Sequence, residues 1–120
     1  MDGSLWVILP TYDEAENVEA VVGGIRAAMP GAHVLVVDDN SRDGTGEIAD
    51  ALAREDAKVE VLHRPGKAGL GRACMAGFAH ALDAGASFVV EMDADLSHDP
   101  ADLPRLIGRA SCRERVCNDV

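Results

Sequence analysis

The sequence predicts an α/β domain built on a parallel sheet, and three observations carry that prediction. Short apolar runs rich in β-branched residues recur at Leu5–Leu9, His33–Val37, Val59–Leu62 and Ser87–Met92. The segments between them carry apolar residues at intervals of three and four, the spacing of one helix face. The resulting order, strand and helix in strict alternation, is that of βαβ units, whose right-handed crossovers place helices on both faces of the sheet.

Each element has its own signals. The first, second and fourth runs are nearly continuous in apolar residues, as in strands buried on both faces. Val18, Val21, Val22, Ile25 and Met29 mark a first helix, Ile48, Ala49, Leu52 and Ala53 a second, and Leu70, Cys74, Phe78 and Leu82 a third. Asp43-Gly44-Thr45 is a start signal with Asp43 as the cap, while Gly31 and Gly85 are stop signals. Gly23-Gly24, inside the first helix, is either a close-packing site or a bend. A fourth helix is expected from Pro100, capped by Asp99, with Leu103, Leu106 and Ile107 facing inward.

A length of 120 residues allows one domain or part of one. With 11 Lys plus Arg against 21 Asp plus Glu, the formal charge of -10 works against nucleic acid or an anionic membrane as a passive electrostatic partner. An anionic ligand would need a metal or local cations. The apolar fraction of 48% excludes a disordered acidic chain. No basic region precedes Leu5–Leu9, and that run is far below the roughly 18 residues of a membrane span, so a cytoplasmic chain without its own signal is expected. Cys74, Cys112 and Cys117 form no CxxC or zinc spacing and are read as free thiols in a reducing compartment.

In open parallel sheets, ligands sit beyond the carboxyl ends of the strands. Three of the four predicted ends here are acidic: Pro10-Thr11-Tyr12-Asp13-Glu14, Asp38-Asp39-Asn40-Ser41-Arg42-Asp43 and Asp93-Ala94-Asp95-Leu96-Ser97-His98-Asp99. Asp93 and Asp95, one residue apart as the chain leaves a buried strand, can bring two carboxylates to one hard cation, and such a site suits Mg²⁺ or Mn²⁺ shared with substrate phosphates. A solvated turn is the plain alternative. Asp39, at the edge of the cleft, is placed to accept hydrogen bonds from a nucleoside base or ribose, and Tyr12 offers a ring to lie against a base. The competing account of both is ordinary turn chemistry, with side chains bonding their own backbone.

The third strand end carries the local cations Arg64, Lys67 and Arg72 among glycines, yet it is no standard phosphate loop. Gly66-Lys67-Ala68 lacks the hydroxyl and the upstream glycine of a P-loop. The first strand is followed by no glycine at all, which excludes a dinucleotide fingerprint. The four histidines make no ligand spacing, and no nucleophile elbow is present.

Taken together, Val7-Ile8-Leu9-Pro10-Thr11-Tyr12-Asp13-Glu14, Val36-Val37-Asp38-Asp39-Asn40-Ser41-Arg42-Asp43-Gly44-Thr45, Gly69-Leu70-Gly71 and Met92-Asp93-Ala94-Asp95-Leu96-Ser97-His98-Asp99-Pro100 resemble the family 2 glycosyltransferases. Within them the resemblance is to the polyprenol and dolichol phosphate mannosyltransferases, over roughly residues 5–107. It implies a GT-A fold, of which residues 1–107 would be the nucleotide-sugar-binding half. It further implies that Pro10, Tyr12, Glu14, Val37 and Asp39 hold the nucleotide, while Asp93, Ala94 and Asp95 hold Mg²⁺ or Mn²⁺ and the diphosphate. The implied reaction is inverting transfer of mannose from GDP-mannose to a polyprenyl phosphate at the cytoplasmic face of a membrane, by a peripheral enzyme.

Two alternatives stand beside that expectation: a polyprenyl-phosphate glucosyltransferase, whose loops share most of these motifs, and a noncatalytic nucleotide-binding module. A phosphate-receiver domain fails, because its acidic pair would follow the first strand, where Pro10-Thr11 stands. Residues 108–120 do not match the family pattern, show no apolar periodicity, and are expected to be an unrelated or frame-shifted ending of a truncated domain. A genuine short protein with a polar terminal helix is the alternative.

Overall fold

Every strand pairing in the sheet is parallel, and the strand order β3-β2-β1-β4-β5 puts the first strand near the centre. The computed structural model describes residues 5–66, 70–94 and 115–117. Its elements are β1 (Leu5–Thr11), α1 (Val18–Ala28), β2 (His33–Asp38), α2 (Thr45–Glu55), β3 (Val59–His63), α3 (Leu70–Asp83), β4 (Phe88–Glu91) and β5 (Arg115–Cys117). The predicted alternation of strands and helices is therefore present, with ends that differ by one or two residues. The helix expected from Pro100, with its cap Asp99, lies outside the described residues.

Two differences have physical causes. β1 runs past Pro10 to Thr11, although proline is unusual in a central strand. The Ile8 carbonyl accepts from Met92 N–H on the β4 side, and the residue-by-residue alternation of the backbone turns the missing Pro10 N–H to that same side, beyond the last β1–β4 pair, Ile8 with Glu91. No ladder bond is lost. β5 lies in a segment for which no strand is predicted, and pairs Val89, Val90 and Glu91 with Arg115, Val116 and Cys117. Three residues are too few to show alternation, and the pairing is long-range, so the local sequence carries no sign of it.

The strands alternate their side chains between two cores. On one face Val7, Leu9, Val34, Val36, Val90 and Met92 pack against Val18, Val21, Val22 and Ile25 of α1 and Ala49 of α2. On the other, Trp6, Ile8, Leu35, Val37 and Val89 pack against Ala73 and Ala81 of α3. Helices therefore cover both faces, as the βαβ pattern requires.

The glycines divide sharply. Gly77 lets α3 lie close on the sheet: a Cβ there would stand 2.4 Å from Ile8 Cγ2 and 3.2 Å from Val37 Cγ2. Gly23 is exposed with nothing within 4 Å of the corresponding position, and α1 continues through it, so it is not a close-packing site. At the end of α1, Arg26 gathers the free carbonyls, its Nη1 donating to Pro30 at 2.6 Å and Ala32 at 3.3 Å while its Nε meets Asp56 Oδ2 at 2.6 Å.

Candidate nucleotide-binding site at the strand ends

The chain builds β1, β2 and β3 in one direction across the sheet and then returns to lay β4 on the other side of β1. The order reverses between β1 and β4, the topological switch point where open α/β sheets open a crevice for ligands. Three acidic ends meet this region, those of β1, β2 and β4.

Asp38 and Asp39 close β2 and do different things. Asp38, 2% exposed, is a hub. Its Oδ1 accepts from Thr11 Oγ1 at 2.7 Å and from Ser41 Oγ at 2.6 Å, and its Oδ2 accepts from Ser41 N–H at 3.0 Å. This is the turn chemistry that the sequence suggested for the loop. Asp39, 4% exposed, donates its backbone N–H to the Thr11 carbonyl at 3.1 Å, and its Oδ1 stands 3.3 Å from Arg64 Nε. That approach is an ion pair without hydrogen-bond alignment, because Asp39 Oδ1 and Arg64 Nη1 are both buried and make no hydrogen bond. A buried carboxylate oxygen without a hydrogen-bond partner is uncommon in folded proteins.

Pro10 and Val37 are buried in paired strands, Pro10 opposite Val37. Tyr12 and Glu14 follow in the loop, both half-buried. The Arg42 guanidinium lies over the Tyr12 ring, 5.8 Å from its centre. Asp93 is half-buried, one residue past Met92, whose N–H donates to Ile8, and Ala94 is buried. Asp95, His98 and Asp99 lie outside the described residues, as does Lys67. The ends of β2 and β4 thus flank the end of β1, bringing Asp39, Tyr12, Glu14 and Asp93 to one edge of the sheet.

Asp43 is not the cap of α2 that the sequence suggests. The residue preceding α2 is Gly44, in the left-handed region at φ 95°, and no side chain caps the helix through its first turn. Asp43 Oδ1 instead takes both the N–H and the hydroxyl of Thr45, and its Oδ2 accepts from Ala15 N–H at 3.0 Å in the neighbouring loop. The Thr45 hydroxyl, and after it the Ala15 amide, hold the Asp43 carboxyl below the usual carboxylate range.

Arg64 is the site residue that the sequence named only as a local cation. The available signal was its position, the first residue after β3, where its N–H donates to the Asp38 carbonyl at 2.8 Å. The other third-loop cation described, Arg72, is exposed on α3.

Asp93 offers a half-exposed carboxylate on a chain leaving the sheet, and among the described residues no cluster of three or more His, Cys, Asp or Glu forms an all-protein cage. Mg²⁺ and Mn²⁺ bound together with phosphates use one or two carboxylates in this way.

Known proteins resemble this chain along most of its length. Polyprenol monophosphomannose synthase of Mycolicibacterium smegmatis is 55% identical over 102 residues, which cover 84% of this chain and 38% of that protein. Undecaprenyl-phosphate mannosyltransferase of Micrococcus luteus is 54% identical over 100 residues, 83% of this chain and 41% of that protein. The chain therefore spans about two fifths of the length of these relatives. Among solved structures, a mannosyltransferase from Pyrobaculum calidifontis in complex with GDP-Man and Mn²⁺ superposes with a TM-score of 0.71 at 26% identity, over 84% of this chain and 31% of that one. The sequence profile of Glycosyl transferase family 2 matches residues 6–117, nearly the whole length, and the chain belongs to that family.

Proposed function

We propose that this chain is the donor-binding half of a metal-dependent mannosyltransferase that moves mannose from GDP-mannose to a polyprenyl phosphate. The observation that carries the reading is the meeting of Asp39, Tyr12, Glu14 and Asp93 at the β1–β4 switch point, in a chain whose relatives are named for mannose transfer to polyprenyl phosphates.

In this reading the nucleoside lies over the ends of β1 and β2. Asp39 offers its carboxylate to the donor groups of the base or ribose, Tyr12 offers a ring face, and Pro10 and Val37 form the floor. Glu14 closes the far side. Asp93 and Asp95 would hold Mg²⁺ or Mn²⁺, with Ala94 between them leaving room for the diphosphate. The bound cation supplies Lewis-acid stabilisation of charge developing on the leaving diphosphate. The acceptor phosphate is largely ionised near neutral pH, with a second pKa of roughly 6, so the site needs no strong base. Attack in line with the departing diphosphate inverts the anomeric centre and converts an α-linked donor into a β-linked product. Acceptor contacts are assigned to the part of the relatives that this chain does not match.

No helix among the described residues is long and apolar enough to cross a membrane. Peripheral association at the cytoplasmic face is proposed as the way a lipid phosphate is reached.

Calorimetric titration with GDP-mannose and UDP-glucose, each with Mn²⁺, tests the donor. Tighter binding of GDP-mannose is expected. Preference for UDP-glucose would move the assignment to glucose transfer, and failure of both to bind would remove the donor site.

A further inference from the structure

Three consecutive backbone amides of the first loop are taken up by side chains of the second. Asp13 N–H donates to Ser41 Oγ at 2.8 Å, Glu14 N–H to Thr45 Oγ1 at 2.9 Å and Ala15 N–H to Asp43 Oδ2 at 3.0 Å. The acceptors are themselves fixed: Ser41 by both oxygens of buried Asp38, and Thr45 by Asp43. Asp13 also returns a bond, its Oδ1 accepting from Arg42 N–H at 2.9 Å.

This brace holds an unusual backbone. Asp13 and Asn40 are the non-glycine residues with positive φ among those described, at 57° and 58°, one in each loop. A left-handed conformation at a residue with a side chain persists only where its surroundings over-determine it. At Asp13 the surroundings are the Ser41 hydroxyl on its amide and the Arg42 amide on its carboxylate. At Asn40 the side-chain amide donates to the Pro65 carbonyl at 3.2 Å, which ties the second loop to the third as well. Within the first loop, Glu14 holds the start of α1 through its carbonyl and a 3.4 Å contact from Asn17 Nδ2.

We infer that Asp38, Ser41, Asp43 and Thr45 form a positioning platform that sets the conformation of residues 12–15 before any ligand arrives, and so presents Tyr12 and Glu14 to the nucleotide. None of these four side chains needs to touch the nucleotide; they act through the amides they accept. The nucleotide part of this inference rests on the donor-binding reading, whereas the conformational part does not. A preset loop lowers the ordering cost of binding, the usual source of affinity from preorganisation.

The test uses Ser41→Ala, Ser41→Thr and, as a control, the exposed strand-end Ser87→Ala. Amide hydrogen exchange in the unliganded chain is followed by NMR, and GDP affinity with Mn²⁺ by calorimetry. Ser41→Ala should speed exchange at Asp13 and its neighbours roughly tenfold, the scale of one lost hydrogen bond with its strain, while the amides of β1 inside the sheet stay unchanged. GDP affinity should fall roughly five- to tenfold at a temperature where the variant is fully folded, and Ser41→Thr, which keeps the hydroxyl, should restore much of both. A purely structural Ser41 would lower the melting temperature and leave affinity at that temperature untouched, which would overturn the positioning role. Unchanged exchange at residues 13–15 would overturn the platform itself. Altered exchange in a chain whose wild type binds no GDP would uphold the platform and overturn the donor reading instead.

Discussion

Arg64 Nε stands 3.3 Å from Asp39 Oδ1 across the ends of β3 and β2, and the two side chains are only 17% and 6% exposed. The Arg64 guanidinium is the counter-charge beside a carboxylate that is otherwise cut off from water. Arg64→Ala leaves that carboxylate buried and uncompensated, and the expected destabilisation is about 1–3 kcal/mol, below the cost for a fully sealed pair because Arg64 keeps some solvent contact. Urea unfolding should show a lower midpoint at unchanged slope. An unchanged midpoint would mean that Asp39 is adequately solvated without its partner.

Gly77 and Gly23 offer opposite outcomes from the same substitution. Gly77→Ala places a methyl 2.4 Å from Ile8 Cγ2 under α3, and overpacking of that kind is expected to cost about 1–3 kcal/mol. Gly23→Ala adds a methyl in open space on an exposed helix face and should stabilise by about 0.5–1 kcal/mol. Thermal and urea denaturation of both variants check the pair, and a stabilised Gly77→Ala would contradict the close approach of α3 to the sheet.

The architecture was legible because it rests on periodicity within short windows. Val18, Val21, Val22 and Ile25 announce α1 by spacing alone, and all four are buried in it. The acidic strand ends were equally visible. What the sequence concealed is long-range. The Asp39–Arg64 pair joins residues from two loops, and nothing in the local pattern of either names the other. β5 is held by register against β4 rather than by any signal of its own. Asp43 looked like a cap because Asp before Gly-Thr commonly is one; its second oxygen serves Ala15, a partner that only the folded chain supplies. Gly23 and Gly77 show the same limit, since a sequence cannot tell a glycine in open space from one beneath a helix.

His33 gives the fold a pH dependence. Its ring stacks on Trp6 with centres 4.6 Å apart. Burial, and after it the charge of Lys58, lowers its pKa from the ordinary 6.5, with Glu60 opposing and Arg26 adding to the effect. The unfolded chain therefore binds the proton more readily than the folded one. Stability from this residue is fully present above 6.5 and declines as pH falls through 6.5 toward the folded pKa. His33→Phe keeps the stacking ring and removes the titration. Melting temperatures measured from pH 7.5 to 5 should fall less steeply for this variant than for the wild type; parallel curves would show that His33 does not contribute.

A separate loss is expected at more acid pH. Asp56, held below its ordinary 3.8 chiefly by the hydrogen bond from Arg26, contributes stability above that value that is lost as pH falls through its folded pKa. Arg26→Ala removes that partner together with the bonds to the Pro30 and Ala32 carbonyls between α1 and β2. It should weaken the acid dependence below about pH 4 and lower stability near neutral pH by about 1 kcal/mol, as read by urea unfolding at the two pH values. An acid limb identical to that of the wild type would detach Asp56 from it.

The end of β4 is proposed to join a divalent cation to a nucleotide diphosphate, and calorimetric titration of GDP into wild type and Asp93→Asn, each with and without Mn²⁺, decides the point. Asparagine keeps the shape of Asp93 but is a poorer ligand for a hard cation. Mn²⁺ is expected to strengthen GDP binding to the wild type, and Asp93→Asn to lose most of this enhancement while its weaker metal-free affinity changes little. Equal GDP affinities for both proteins, with and without Mn²⁺, would contradict it and leave Asp93-Ala94-Asp95 as a structural turn.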